Sequence, residues 1–174
     1  MTFLELLRRR RSIRAFTPRP VEPSLLEALQ EALLRSPTSR GLNPWHFILV
    51  TDRIVLDQLS KSKKAGSSFL RSAPAAVVVC GDESVSDVWV EDCSIAAITM
   101  QYQLEELGLG SCWIQIRNRQ SGDERSSDQF VRELLGLPPT VRAASIIAFG
   151  YPDEAPEPHP ASAPAPLHWH QERW

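Results

Sequence analysis

Three short stretches hold most of the side chains that could do chemistry. The first is Arg8-Arg9-Arg10-Arg11-Ser12-Ile13-Arg14. Arginine grips phosphate oxygens through its planar fork, and a serine hydroxyl adds another donor. The stretch equally suits the solvated end of a helix, where cations complement the dipole. A basic arm toward nucleic acid is a third reading, but no further basic face extends it. The second stretch is Ser36-Pro37-Thr38-Ser39-Arg40-Gly41-Leu42-Asn43-Pro44-Trp45. Its small polar side chains and free amides fit the rim of a ring-shaped ligand; read alone, it is a polar loop leading into a strand. The third is Gly108-Leu109-Gly110-Ser111-Cys112-Trp113-Ile114-Gln115. Its glycines let the backbone turn tightly or approach a ligand closely. It is not a dinucleotide fingerprint, because the third glycine is missing and the motif follows a helix.

Other chemistries lack their residues. His46, His159, His168 and His170 show no metal spacing backed by carboxylates. Cys80, Cys93 and Cys112 are odd in number and widely spaced, and read as small core residues. Glu91-Asp92 and Glu105-Glu106 read as ordinary helix charges, and no Gly-x-Ser-x-Gly elbow occurs. A chain without an evident nucleophile, metal or acid–base pair points to a bound cofactor for the hard step.

The elements that must position these stretches follow from hydropathy and punctuation. The chain has 174 residues, 43% hydrophobic and 23% charged, with a net charge of −2. That is enough for one core-forming domain, with no global pull toward nucleic acid or membrane. The apolar run from Ala73 to Cys80 is too short to span a bilayer, and the first residues lack signal-peptide form, so a cytoplasmic protein is expected. Thr2 and Glu5 form a capping box for a helix through about Arg9. Pro23 opens a second helix, ending before Pro37. Helices are also expected from Arg53 to about Leu59, Trp89 to Leu107 and Asp128 to Leu135. Strands are expected at Trp45–Thr51, Ala75–Val79, Cys112–Ile116 and Val141–Phe149. Lys61 to Ser68 is polar and reads as a mobile segment. The Trp89–Leu107 helix is apolar on more than one side, which suggests cover from a partner subunit. Asp153 to Pro166 is proline-rich and cannot pack alone; the tryptophans after it need a surface to dock on. The expected fold class is therefore α+β. Residues 1–152 would be the body and 153–174 an arm within a single domain.

The three stretches, in their order and spacing, resemble the nitroreductase family of flavoproteins. Matching pieces are Arg10 to Arg14 with Phe16 and Pro20-Val21, Ser36 to Ser39 with Asn43 to Phe47, Ala73-Pro74-Ala75, Trp89 to Asp92, Leu107 to Ile114, and Ala148 to Pro152. The resemblance implies a nitroreductase-like fold, a central mixed or antiparallel sheet flanked by helices, with the arm extending onto the partner. It implies a homodimer holding FMN at the subunit interface. Arg10, Arg11 and Ser12 would contact the phosphate and ribityl chain. Arg14 would sit near the pyrimidine edge, where a fixed cation stabilises the charge of reduced flavin. Pro37, Thr38, Ser39 and Asn43 would line the ring from the other subunit, and Trp113, Ile114 and Gln115 would run beside its reactive nitrogen. The implied activity is reduction of nitro compounds, quinones or similar acceptors by NAD(P)H in ping-pong fashion. The alternatives are specialised flavin chemistry and a flavin-binding reservoir or sensor without turnover. Gly41 and Asn43 stand where the commoner pattern has asparagine and glutamine, and Gln115-Ile116 where many members have glycines.

Overall fold

The computed structural model describes residues 2–158 and 168–174. His159 and much of the proline-rich stretch lie outside these residues. Five α-helices and four strands alternate as α1 (Phe3–Arg9), α2 (Pro23–Leu34), β1 (Trp45–Val50), α3 (Arg53–Leu59), β2 (Ala75–Asp82), α4 (Trp89–Glu106), β3 (Gly110–Gln115), α5 (Ser127–Leu135) and β4 (Val141–Gly150). Local chemistry sets the boundaries. The Thr2 hydroxyl accepts from Glu5 N at 3.3 Å while the Glu5 carboxylate accepts from Thr2 N at 2.6 Å, closing the capping box. Asp52 caps α3 and Ser126 caps α5. Gly108, at φ 76°, and Gly136, at φ 66°, turn the chain away from α4 and α5 in the left-handed region.

The sheet is antiparallel throughout, in the order β1-β2-β4-β3. β2 is buried on both faces, as its unbroken apolar run requires. Ala76, Val78 and Cys80 pack with Leu56, Leu59 and Val131 beneath α3 and α5. Ala75, Val77 and Val79 face Leu29, Leu33, Ala97 and Met100 of α2 and α4. Two helical layers thus sandwich the sheet.

Two strands differ from the expectation. β2 runs on to Asp82 because Cys80, Gly81 and Asp82 pair with Ala143, Arg142 and Val141 after a bulge at Val79/Cys80. β3 starts at Gly110 because a glycine there lets Ile13 lie flush against the strand. A Cβ on Gly110 would meet Ile13 side-chain atoms at 2.8–2.9 Å. Gly110→Ala is therefore expected to lower stability by about 1–3 kcal/mol through overpacking, measured by urea denaturation. A variant as stable as the parent would show that Ile13 gives way freely. The Lys61–Ser68 segment is also more fastened than its composition suggests. Ser62 and Ser67 are buried, Ser67 Oγ donates to Ser60 O at 2.7 Å, and Lys64 N donates to Gln120 O at 3.0 Å.

Candidate active site on the outer edge of the third strand

The basic stretch is laid along β3. Arg10 closes α1, its N–H donating to Leu6 O at 2.9 Å. Ser12 then bridges Ser111 in the parallel sense, and Ile13 N donates to Ser111 O at 2.9 Å. Farther on, Phe16 bridges Pro152 and Asp153 N donates to Ala15 O. The Glu154 carboxylate accepts from the backbone N–H groups of Arg14 and Ala15, which hold its pKa below the usual range. Among the described residues, none of the Arg10, Arg11 and Arg14 guanidinium groups is in an ion pair, although Arg10 and Arg11 are half-buried. Partly desolvated cations without a carboxylate are costly unless an anion answers them. They gather near Cys112. Burial raises that thiol's pKa, while Arg14, a hydrogen bond from Ser12 and Arg10 pull it the other way.

The backbone of β3 alternates. The Ser111 carbonyl faces Ile13 on the outer edge, whereas Ile116 N donates inward to Ala144 O at 3.2 Å. By that alternation Trp113 and Gln115 turn their N–H groups outward, where among the described residues no further strand lies beyond β3. Their side chains are joined, Trp113 Nε1 donating to Gln115 Oε1 at 3.0 Å, and Gln115 Nε2 donates to Arg117 O at 2.9 Å. Ile114 faces the other way. Its side chain is 1% exposed within the core and its backbone turns to β4, so it spaces Trp113 from Gln115 and offers the edge no group of its own.

The Pro37–Asn43 loop is tightly self-bonded. Thr38 Oγ1 donates to Asn43 Oδ1 at 2.9 Å and accepts from Asn43 N at 3.1 Å. Arg40 (φ 55°), Gly41 (φ 67°) and Asn43 (φ 50°) are left-handed, and only the glycine takes that conformation without strain. The loop is held to the body by Asp92, which accepts from Ser39 N at 2.8 Å and from Ser86 Oγ at 3.4 Å; Arg40 pairs with Asp87. The reading of Asp92 as an ordinary helix charge is thus corrected, since it is 2% exposed in the first turns of α4. Its register offered a signal, because Asp92, Ala96 and Met100 share one buried row at four-residue spacing. Glu105, at the other end of α4, is bonded to Arg9 at 3.1 Å.

These two contacts measure the site. Asp92 holds the loop and Glu105 holds Arg9, about 20 Å farther along the helix, while Gln101, whose Nε2 donates to Ser111 Oγ at 3.2 Å beside the Ser12 bridge, lies about 14 Å along it from Asp92. The structure brings Arg10, Ser12 and Arg14, with Arg11 between them, to the Ser111–Cys112 start of the strand that carries Trp113 and Gln115, while Pro37, Thr38, Ser39 and Asn43 lead into β1 at the opposite edge of the sheet. Two cavities lie away from β3, the larger of them lined in part by Asn43. One of about 720 Å³ lies between α2 and β1 and one of about 490 Å³ lies beside Phe16 and Pro74. Cys80 and Cys93 are buried, with thiol pKa values pushed up to about 12 by desolvation, and are inert. Among the described residues no group of His, Cys, Asp and Glu could hold a metal ion.

Comparison with known proteins bears on this arrangement. The model of the nitroreductase family matches residues 7–66 and 55–151. A protein of Archaeoglobus fulgidus, provisionally named NADH dehydrogenase/NAD(P)H nitroreductase, is 34% identical over 98% of both chains. The solved structure of an FMN-dependent nitroreductase from Clostridium difficile R20291 superposes with a TM-score of 0.96 at 40% identity, covering 99% of this chain and 100% of that one. One from Parabacteroides distasonis, with a name like that of the archaeal protein, gives 0.89 at 31% identity, with 98% of each chain covered. The α+β architecture expected from the sequence is the one these structures share. On the extent of the family match and the identity carried along whole chains, this protein belongs to the nitroreductase family.

Proposed function

We propose that the chain is an FMN-dependent oxidoreductase that uses NAD(P)H to reduce nitro compounds, quinones or similar acceptors, and that it works as a homodimer. The observation that carries this reading is the row of unpaired arginines zipped to the open edge of β3. The residues fit the cofactor. Arg10, Arg11 and Ser12 supply donors matched to one phosphate and the ribityl hydroxyls. The outward N–H groups of Trp113 and Gln115 offer hydrogen bonds to a flat ring lying along the edge. Arg14 stands where it can answer negative charge on that ring. Bound FMN would supply the hydride chemistry between the nicotinamide and the acceptor.

The strand order supports the homodimer reading. The loop leads into β1, at the opposite edge of the sheet from β3, so a flavin on the β3 edge of a second copy is the one it would line. Exposed Phe3, Leu4, Leu7 and Ile95 on α1 and α4 supply apolar surface for such a partner. Trp169 and Trp174 are exposed as well, with His170 stacked on Trp174, which agrees with residues 153–174 acting as an arm on the other subunit. Among the described residues no helix is long and apolar enough to cross a membrane.

The test is the visible absorption spectrum of the purified protein before and after NAD(P)H. Flavin bands that bleach and return in air are the expected result. Bands that stay would move the assignment to a flavin-binding protein without turnover. A protein that gains no bands when FMN is added would end the reading.

A further inference from the structure

A second group of cations lies at the end of β3, after Gln115. Lys63 and Lys64 come from the segment after α3, and Arg117 and Arg119 from the turn that leaves β3. The two segments are tied by Lys64 N donating to Gln120 O at 3.0 Å. Among the described residues none of the four is in an ion pair, and the side chain of Arg119 bonds only to the neighbouring carbonyl of Asn118. The acids on either side are engaged. Asp57 holds Lys61, and Asp123, the first acid after Arg119, is held by Arg125 and Ser121. Lys63 is half-buried, and desolvation followed by the charge of Arg119 lowers its ammonium pKa. Like charges brought together without a counter-charge repel one another, so the arrangement suits an anionic ligand.

The placement says which ligand. Gln115 Nε2 donates to Arg117 O at 2.9 Å, so the second group begins where β3 ends, while Ser12 with Arg10 and Arg14 lies at the Ser111–Cys112 start of the same strand. FMN carries one phosphate, and the first group already answers it. The second group needs a second anion that arrives at the same edge. We propose that Lys63, Lys64, Arg117 and Arg119 form a rim that takes the phosphate groups of the nicotinamide dinucleotide and gives this protein a preference for NADPH, with its additional 2′-phosphate, over NADH. This rests on the flavin reading above and names the reductant for it. Arginine pairs with a phosphate monoester through two parallel hydrogen bonds, so Arg117 and Arg119 supply the selectivity, while the lysines raise the local concentration of anions.

The experiment uses the FMN-loaded protein with a soluble quinone as acceptor, comparing the parent with Arg117→Gln/Arg119→Gln. The parent is expected to show a KM for NADPH about tenfold below that for NADH. In the variant the KM for NADPH should rise about tenfold or more, with kcat and flavin content unchanged within about twofold and NADH affected less. Adenosine 2′,5′-bisphosphate should compete with NADPH in the parent and only weakly in the variant. An unchanged KM for NADPH overturns the proposal. Loss of FMN from the variant overturns it too, because the rim would then belong to the cofactor. If the variant does not fold, Lys64→Gln reads the same KM shift at smaller amplitude. If the parent holds FMN and neither nucleotide reduces it, the reductase reading fails separately. Calorimetric titration with adenosine 2′,5′-bisphosphate then decides the rim: binding lost in the variant upholds it, and no binding by the parent removes it.

Discussion

Changing Arg10 and Ser12 together to alanine is expected to raise the FMN dissociation constant about a hundredfold. Each side chain offers the phosphate end a charge-assisted or hydroxyl hydrogen bond, and two such contacts at about 1.5 kcal/mol each make that factor. The body should survive the change. Arg10 is half-buried at the end of α1 without an ion pair, and Ser12 bridges Ser111 through its backbone. Flavin fluorescence during titration of the apoprotein reads the affinity, and thermal unfolding of the apoprotein serves as the control. A variant that holds FMN as tightly as the parent would remove the phosphate assignment.

The second large effect is expected at Asp92→Leu, which lies about 20 Å along α4 from Glu105, where the chain's own basic stretch is fastened. Leucine is apolar and near in size, but it strands the Ser39 N–H and releases a loop with three left-handed residues. An unmade bond of this kind costs about 1–3 kcal/mol. FMN affinity should fall about tenfold or more, while Asp92→Asn, which keeps an acceptor for Ser39 N, should stay close to the parent. Mixing gives the sharper check. If each flavin is lined by both chains, a heterodimer of the Arg10/Ser12 variant with Asp92→Leu carries one doubly damaged site and one intact site. Co-expression gives about half heterodimers, each with one intact site of two, so it should restore about a quarter of the parent's activity. No restoration would mean that the loop and the arginines do not share a flavin across subunits.

Much of the fold could be read from the sequence because local signals agreed with it. The Thr2/Glu5 box, Pro23, the apolar run of β2 and the three-and-four spacing of α4 each acted within a few residues of themselves. The basic stretch was visible as chemistry for the same reason. Asp92 was not, because a carboxylate on a helix looks the same in sequence whether it meets water or a loop amide from far along the chain. Ile114 was grouped with its neighbours because strand alternation tells which residues oppose each other, not which set faces the edge; the Ile13–Ser111 bond settles that. The Lys61–Ser68 segment reads as loose by composition, yet its buried serines and its bond to Gln120 depend on tertiary neighbours. The sequence alone could not tell that the loop and the basic stretch lead to opposite edges of the sheet, which is what supports the proposed division of the site between two copies.

The bridge between Ser12 and Ser111 has a temporal consequence. A ribosome releases Arg10–Arg14 long before it makes β3, and β3 long before β4, the strand it pairs with. During most of synthesis these arginines have no edge to lie along, and Phe16 has no Pro152 to bridge. On the proposed function, the nascent chain would not hold the cofactor while it is being made. Loading would wait for the completed polypeptide and its encounter with a second one, so supply of flavin and concentration of subunits would together set how quickly new molecules mature.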